Sequence, residues 1–391
     1  MDPRYAQTAG LDEVCCFQDM AGISASTAKC SAHADRECIV LGSKDGVLIH
    51  WAGFSCKTLS KLSQDQAPGA LPAKKGSTGS TFAWLIDHLR EHQPPIYIGE
   101  NVEELMTTAG NMHYLQAAMH DIKYSVMMRI LVSSKFTSPQ NRKRTWIVAL
   151  HLRLCKLTPQ EARTLLEQVF ATVEKLMEES PTPLREFVLD DESEYLKCLR
   201  KSKAARMQAD DCDNKWQKQY PAMLAKQGIR TTKAYPPQDI RQSVDYDLLC
   251  ERQRLVLGYE LKMDPDATSV DCYQTMGRAF IGHDGILSTL VPGSNVWVRM
   301  EGMNRLLCGR EHMYVQGMPR SFPVEQLMKD FDISDHMLKD LAGNAFSAQV
   351  AMAVLIAVIL NLPPLLISEM ERVTHASHSA DEDDVLSSIA A

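Results

Sequence analysis

Apolar positions in the first part of the chain recur in two alternating periods. Gly46–Trp51 reads G-V-L-I-H-W and is followed by a Gly-Phe-Ser-Cys turn, the pattern of a short buried parallel strand. A further strand is expected near Val14–Met20. Thr81–Glu91 sets Phe82, Leu85, Ile86 and Leu89 at helical spacing until Pro94-Pro95 breaks the run. Ile96–Ile98 then forms a strand that runs into Gly99-Glu100-Asn101-Val102. A second such unit follows: a helix over Asn111–Asp121, a strand over Tyr124–Val132, a loop, and a strand over Thr145–Leu150. Strands alternating with helices predict an α/β sheet. Residues 61–80 are rich in Ser, Gly, Lys, Pro and Gln and read as a mobile loop.

The pattern changes near residue 156. Thr158-Pro159-Gln160-Glu161 is an N-cap with proline at the first helical position, and an amphipathic helix is expected to run to about Glu179. Residues 180–285 are polar and lack strand periodicity. The chain therefore divides into an α/β region over 1–155, an inserted, mostly helical or irregular domain over 156–285, a return to the first domain over 286–373, and a disordered acidic tail over 374–391. Val350–Leu360 is continuously apolar but shorter than the roughly 20 residues of a spanning helix. Followed by Pro363-Pro364, it predicts a core helix and no membrane association.

Composition narrows this picture. A length of 391 residues suggests two domains or one with an insertion. The formal net charge is −7, so nucleic-acid binding would need a local basic patch. Residues 197–233 offer one: Lys197, Arg200, Lys203, Lys215, Lys218 and Arg230 stand among few acids, with Trp216 and Tyr220 interleaved. The 11 cysteines, an odd number without an apolar leader, argue for reduced thiols inside a cell. Cys30-x-x-His33, with Cys38 and Cys15-Cys16 nearby, has some metal-like spacing. No paired CxxC accompanies it, so no metal is expected.

Four local features carry candidate chemistry. Cys56 follows a buried strand on a tight turn, at the end of an α/β sheet where ligands bind and where a thiol can act as a nucleophile. Taken alone, such a cysteine is more often an inert, packed thiol than a reactive one. Glu100 lies at a second strand end, on the same rim as Cys56 if the two strands are parallel neighbours. Burial there would raise its pKa, whereas a plain helix N-terminal acid is the structural alternative. Gln140, Arg142 and Arg144 alternate onto one face entering a strand, as a phosphate contact or a solvated edge. Leu341–Ser347 precedes the apolar helix, and its amides together with Asn344 could hold a small ligand.

In this order, the set resembles the cytosine-5 DNA methyltransferase family. Cys56 matches the nucleophile loop, Glu100-Asn101-Val102 the Glu-Asn-Val motif, Gln140/Arg142/Arg144 the Gln-x-Arg-x-Arg motif, and Gly343-Asn344 the closing motif. Arg310-Glu311 through Gln316-Gly317-Met318-Pro319 is similar to the Arg-Glu…Gln-Gly-Phe-Pro element, and Gly285–Pro292 to the segment that ends the recognition region. The resemblance implies a Rossmann-like methyltransferase sheet with a target-recognition domain over 156–285. It implies S-adenosyl-L-methionine as methyl donor, duplex DNA as partner and a nuclear location. Cys56, Glu100, Arg142 and Arg144 take the catalytic roles. Asn101, Gln140, Ser288 and Thr289 contact the substrate. Asp19, Ser55, Thr81, Asn344 and Ala345 line the cofactor.

Two departures stand out. Ser55-Cys56 replaces the family's Pro-Cys, which removes a fixed φ. The family's Phe-x-Gly-x-Gly cofactor loop and acidic ribose clamp are not found, and Phe17-Gln18-Asp19-Met20 is similar to the third element, so the chain reads as beginning after the first βαβ unit. The rival readings are a DNA-binding regulatory relative, a tRNA cytosine methyltransferase, and a cysteine hydrolase using His50 or His113.

Overall fold

The computed structural model describes chiefly residues 22–60, 71–177, 180–209 and 238–362, together with Cys15 and Phe17. They form two compact units, one from within 1–131, 143–177 and 352–391, the other from 132–142 and 178–351. The sequence-predicted acidic tail and most of the expected first strand lie outside the described residues.

The first unit opens with a hairpin, β1 (Thr27–Cys30) against antiparallel β2 (Arg36–Ile39). Then come β3 (Ile49–Trp51), α1 (Gly76–His92), β4 (Ile96–Val102), α2 (Asn111–Asp121), β5 (Tyr124–Val132), β6 (Lys143–His151) and α3 (Pro159–Lys175). The main sheet has the order β3-β4-β6-β5. All seven residues of β4 are buried, so its amides and carbonyls need partners on both sides. β3 supplies one side in parallel, with Ile49 opposite Ile96 and Trp51 opposite Ile98. β6 supplies the other in antiparallel register, from Ile96 opposite Leu150 to Val102 opposite Arg144. Phe82, Leu85 and Leu89 of α1 and Leu115 and Met119 of α2 pack with Tyr97, Val102, Ile147 and Ala149 of the sheet. This is the α/β architecture that the alternating strands and helices predict.

Several boundaries differ from the sequence expectation. α1 begins at Gly76, so Gly76–Ser80 are helical, not loop. Small hydroxyl residues hide this start, although Ser80 and Thr81 return their hydroxyls to helix carbonyls. β4 runs on to Val102, which places Glu100 and Asn101 inside the strand. α3 starts as expected, with Thr158 and Glu161 closing a capping box, and ends at Lys175.

The second unit is helical and irregular for most of its length. It contains α4 (Glu194–Ala209), α5 (Glu251–Met263), α6 (Gly309–Val315) and α7 (Asp335–Asn344). It also holds a small antiparallel sheet that hydropathy had not indicated. The strands are β7 (Ser269–Asp271), β8 (Ile281–Gly282), β9 (Val296–Met300) and β10 (Met303–Leu306), in the order β10-β9-β7-β8. Strands this short carry too few side chains to show alternation. Arg305 and Glu311, both almost fully buried, form a fork-to-fork pair at 2.8 and 3.0 Å. Glu311 also accepts from the amides of Leu189 and Cys308, and Arg305 donates to the Leu189 carbonyl.

α8 (Ala348–Asn361) covers the apolar run. It buries Val350, Ala353, Val354, Ala357 and Val358 and leaves Met352, Ile356, Ile359 and Leu360 exposed, so it is a one-faced helix. By length and composition Asp335–Asn361 could cross a membrane. However, Ala345 is extended and separates α7 from α8, which alone has 14 residues. Its Asn361 amide bonds Thr172 of α3 within the first unit.

Two stability outcomes follow from this packing. Arg305→Ala leaves Glu311 buried without its cation and is expected to cost about 3–5 kcal/mol in denaturant unfolding. His50, His88 and His92 stack with ring centroids 4.5 Å apart. Burial, reinforced by the neighbouring rings, pushes His50 down to about 3, and burial also lowers His88. Both are thus neutral in the fold, and only the unfolded chain takes up their protons below its ordinary histidine pKa of about 6.5. Stability is therefore expected to hold above pH 6.5 and to fall as pH drops from there toward 3. His50→Phe should flatten that slope in pH-dependent melting.

Candidate active site

β3 and β4 run in parallel and β6 runs against them, so the C-terminal ends of the first two meet the N-terminal end of the third. That end of the sheet gathers the Cys56 loop, Glu100 and Arg144. Glu100 lies opposite Trp146, and Arg144 is two residues further along the same face, a diagonal cross-strand neighbour. The Arg144 Nε sits 3.1 Å from Glu100 Oε1, with side chains 16% and 11% exposed. A further Arg144 nitrogen donates to the Lys143 carbonyl at 2.7 Å. The parallel-neighbour geometry expected for Cys56 and Glu100 is therefore present.

Cys56 is half-buried, and its carbonyl accepts from Leu59 and Ser60 at 2.9 and 3.0 Å, a tight turn. Side chains hold the loop from two elements. Asn101 Nδ2 donates to the Phe54 carbonyl at 2.9 Å. From α1, Thr81 Oγ1 accepts the Ser55 amide at 3.0 Å and Thr78 Oγ1 accepts the Thr58 amide at 2.9 Å. Ser55 and Ser77 hydroxyls meet at 3.2 Å. The bonds to Phe54 and Ser55 fix the backbone before the cysteine, as proline does in the family's loop, and the bond to Thr58 fixes it after. Thr78 was missed because its segment reads as a loop in sequence. Its signal, a hydroxyl at helical spacing from Thr81 and Leu85, emerges only once the helix start is known.

Asn101 is 2% exposed and its Oδ1 accepts the Val102 amide, so both ends of its amide serve the protein. The expected substrate contact of Asn101 is thus corrected to loop positioning. His50 faces His88 and Tyr97 through its ring, which is the setting of a packed neutral histidine.

The second unit gives Gln140 and Arg142 different work from the sequence expectation. Gln140 is fully buried, and its Oε1 accepts the Leu290 amide at 2.9 Å. Arg142 is 4% exposed and donates to the carbonyls of Leu290, Gly343 and Ala345 at 2.8, 3.2 and 3.0 Å. Its amide donates to Ser133 Oγ. Both residues tie the 132–142 segment to distant backbone of their own unit, so Gln140 holds structure where a substrate contact is expected and Arg142 where a catalytic role is expected. Gly343 is required by contact, since a Cβ there would lie 2.2 Å from the Pro292 nitrogen. Ser288 and Thr289 are half-buried and line a pocket of about 380 Å³ with Asn141, Phe280 and His283. Thr289 donates to the Asn141 carbonyl.

The residues expected to line the cofactor divide three ways. Asp19 lies outside the described residues. Ser55 and Thr81 form a polar pair beyond the end of β3, where ligands of open α/β sheets bind. Asn344 is exposed at the end of α7, with its amide returned to the Asp340 carbonyl, and Ala345 follows it. Leu341–Asn344 thus end a helix instead of starting one.

In the expected basic patch, Lys197 pairs with Glu192 and Glu194, and Arg200 with Asp191 and Asp245. Those two charges are neutralised within the unit. Lys215, Lys218, Arg230, Trp216 and Tyr220 lie outside the described residues. No metal was expected, but the structure brings Cys15, Cys30, His33 and Cys38 together, with all ligand atoms within 4.8 Å of one another.

The chain is 26% identical over 340 residues to the DNA (cytosine-5-)-methyltransferase DMT5 of Cryptococcus neoformans, covering 79% of this chain and 13% of that protein. It is 27% identical over 146 residues to the type II methyltransferase M.BanI of Aneurinibacillus aneurinilyticus, covering 34% of this chain and 33% of that protein. The chain thus spans a minor part of these relatives' length. Among solved structures it is similar to S. pombe Dnmt2 methyltransferase, with TM-score 0.44, 14% identity, and coverage of 83% and 82% of the two chains. The sequence profile of the C-5 cytosine-specific DNA methylases matches residues 47–359, most of the chain and all of the Cys56, Glu100 and Arg144 site, and the chain belongs to that family.

Proposed function

We propose that the chain is a DNA cytosine-5 methyltransferase in which Cys56 forms a covalent adduct with a flipped-out cytosine. One observation carries this reading. The Asn101 amide ties the Cys56 loop to the strand that bears Glu100, and Glu100 is itself held by Arg144. A nucleophile and a charge-stabilising pair are thus fixed to one end of one sheet.

The cytosine ring is reached only after it leaves the stack. The Cys56 sulfur adds to carbon 6, and its electron pair displaces density toward N3, the ring oxygen and carbon 5. Glu100 hydrogen-bonds N3 and the exocyclic amine, and Arg144 orients Glu100 and meets the ring oxygen. When bound, S-adenosylmethionine would supply the electrophilic methyl group for carbon 5, with Ser55 and Thr81 in its lining. Release of the carbon 5 proton and breaking of the sulfur–carbon 6 bond return Cys56. Ser288 and Thr289 contact DNA, residues 156–285 contain the target-recognition elements, and the site of action is the nucleus.

Duplex DNA containing 5-fluorocytosine, given with S-adenosylmethionine, is expected to trap a denaturation-resistant adduct at Cys56, located by peptide mass spectrometry. Cys56→Ala should abolish it and lower methyl transfer on the order of 10³-fold or more. Methylation that survives Cys56→Ala, or transfer to tRNA in preference to duplex DNA, would overturn the reading.

The two arginines are expected to separate. Arg144→Lys keeps the charge but loses the guanidinium fork, so turnover should fall about 10–100-fold with stability changed by less than about 1 kcal/mol. Arg142→Lys cannot reach its three carbonyls and should cost about 3 kcal/mol in unfolding free energy. Denaturant melts beside single-turnover kinetics distinguish the two.

A further inference from the structure

We propose that Cys15, Cys30, His33 and Cys38 form a structural zinc site that staples the segment before β1 to the β1–β2 hairpin. The three cysteine sulfurs surround one atom: Cys15, Cys30 and Cys38 Sγ lie 3.6, 3.3 and 3.3 Å from His33 Nδ1. A tetrahedral zinc with sulfur at about 2.3 Å and nitrogen at about 2.0–2.1 Å requires sulfur–nitrogen edges of roughly 3.5 Å. The three sulfur–nitrogen edges are thus already near the spacing of such a tetrahedron, and all four ligand atoms lie within 4.8 Å of one another. Such a soft donor set selects zinc over the hard, oxygen-seeking cations.

The chain reaches this geometry by simple means. Register places Cys30 opposite Arg36 and Ala28 opposite Cys38, so the two cysteines are diagonal neighbours on one face of the hairpin. His33 sits in the 3-10 turn between the strands, where Arg36 Nε donates to its carbonyl at 3.1 Å. Phe17 bridges to Cys30 in antiparallel fashion and so delivers Cys15 from outside the hairpin. A disulfide between any two of these thiols would strand the third beside the imidazole, whereas a metal uses all four groups.

The hairpin also needs an anchor. An isolated two-stranded ribbon is marginal in water. Here β1 alternates buried and exposed residues, β2 buries none, and Ile39 and Leu41 are 62% and 57% exposed. A structural metal contributes folding free energy where apolar burial is this small. The anchored segment matters to the rest of the unit. The Ile23 carbonyl accepts from His88 Nδ1 and His92 Nε2 of α1 at 2.8 and 2.9 Å, and α1 also carries Thr78 and Thr81, which hold the Cys56 loop.

The test is elemental analysis of the full chain as purified, followed by cobalt(II) exchange. About one zinc per chain is expected on a closed four-ligand site. Cobalt should give visible d–d bands of tetrahedral strength with thiolate charge-transfer absorption. Cys198→Ser, at an exposed cysteine elsewhere, should retain the metal in full. Cys38→Ser should lose at least half of it, together with the tetrahedral cobalt spectrum. His33→Cys, which completes an all-cysteine set of ligands, should retain zinc and shift the cobalt bands toward an all-sulfur spectrum, and so reports on the site even where Cys38→Ser folds poorly. Purified wild-type chain without zinc, a disulfide among Cys15, Cys30 and Cys38 in non-reducing peptide maps, or a cobalt spectrum unchanged in His33→Cys would overturn the proposal.

Discussion

The burial of an entire strand governs the first unit. With all seven residues of β4 away from water, neither face nor edge can be left to solvent, and its backbone must find β3 on one side and β6 on the other. That single requirement gathers three distant parts of the sequence at one end of the sheet. The loop after β3 carries Cys56, the end of β4 carries Glu100, and the start of β6 carries Arg144. Asn101 then converts proximity into geometry, because its amide holds the carbonyl of Phe54 two residues before the cysteine.

The polar residues of the recognised motifs divide by what surrounds them. Glu100 and Arg144 meet each other at a site that keeps some exposure. Gln140, Arg142, Glu311 and Gln316 bond backbone groups of the second unit. Gln316 reaches the Ala342 carbonyl, and Arg142 reaches those of Gly343 and Ala345, so both grip the end of α7. Arg142 and Gln316 donate to backbone carbonyls, whereas Gln140 and Glu311 accept backbone amides, so each buried polar group finds backbone partners. Several residues that sequence motifs mark together therefore hold the chain rather than touch a ligand.

The N-terminal hairpin shows the same economy by a different route. Its side chains bury little apolar surface, and the cysteine–histidine cluster supplies the cohesion that a core supplies elsewhere. Through Ile23 and the α1 histidines it leans on the helix that also clamps the Cys56 loop. Burial keeps His88 of that contact, and His50 beside it, neutral, which makes the contact sensitive to acid.

The sequence alone determined what depends on local periodicity and on residue order. The α2 and β5 boundaries, the Thr158–Pro159 cap, the α/β class and the ordered motifs around Cys56, Glu100 and Arg144 were legible because hydrophobic spacing and capping act over a few residues. Only tertiary structure decided the rest. Strands of two to five residues in the second unit carry too little alternation to read. The serine- and glycine-rich start of α1 reads as loop until its hydroxyls are seen returning to the backbone. Arg142 and Arg144 look equivalent two residues apart, and they part company because one meets three carbonyls and the other meets Glu100. Likewise, Cys15 stands far from Cys30, His33 and Cys38 in sequence, and only the bridge from Phe17 to Cys30 makes the four a cluster. What a side chain is determines which bonds it can form; which of those bonds exist depends on neighbours that long-range pairing brings, and no local pattern encodes that pairing.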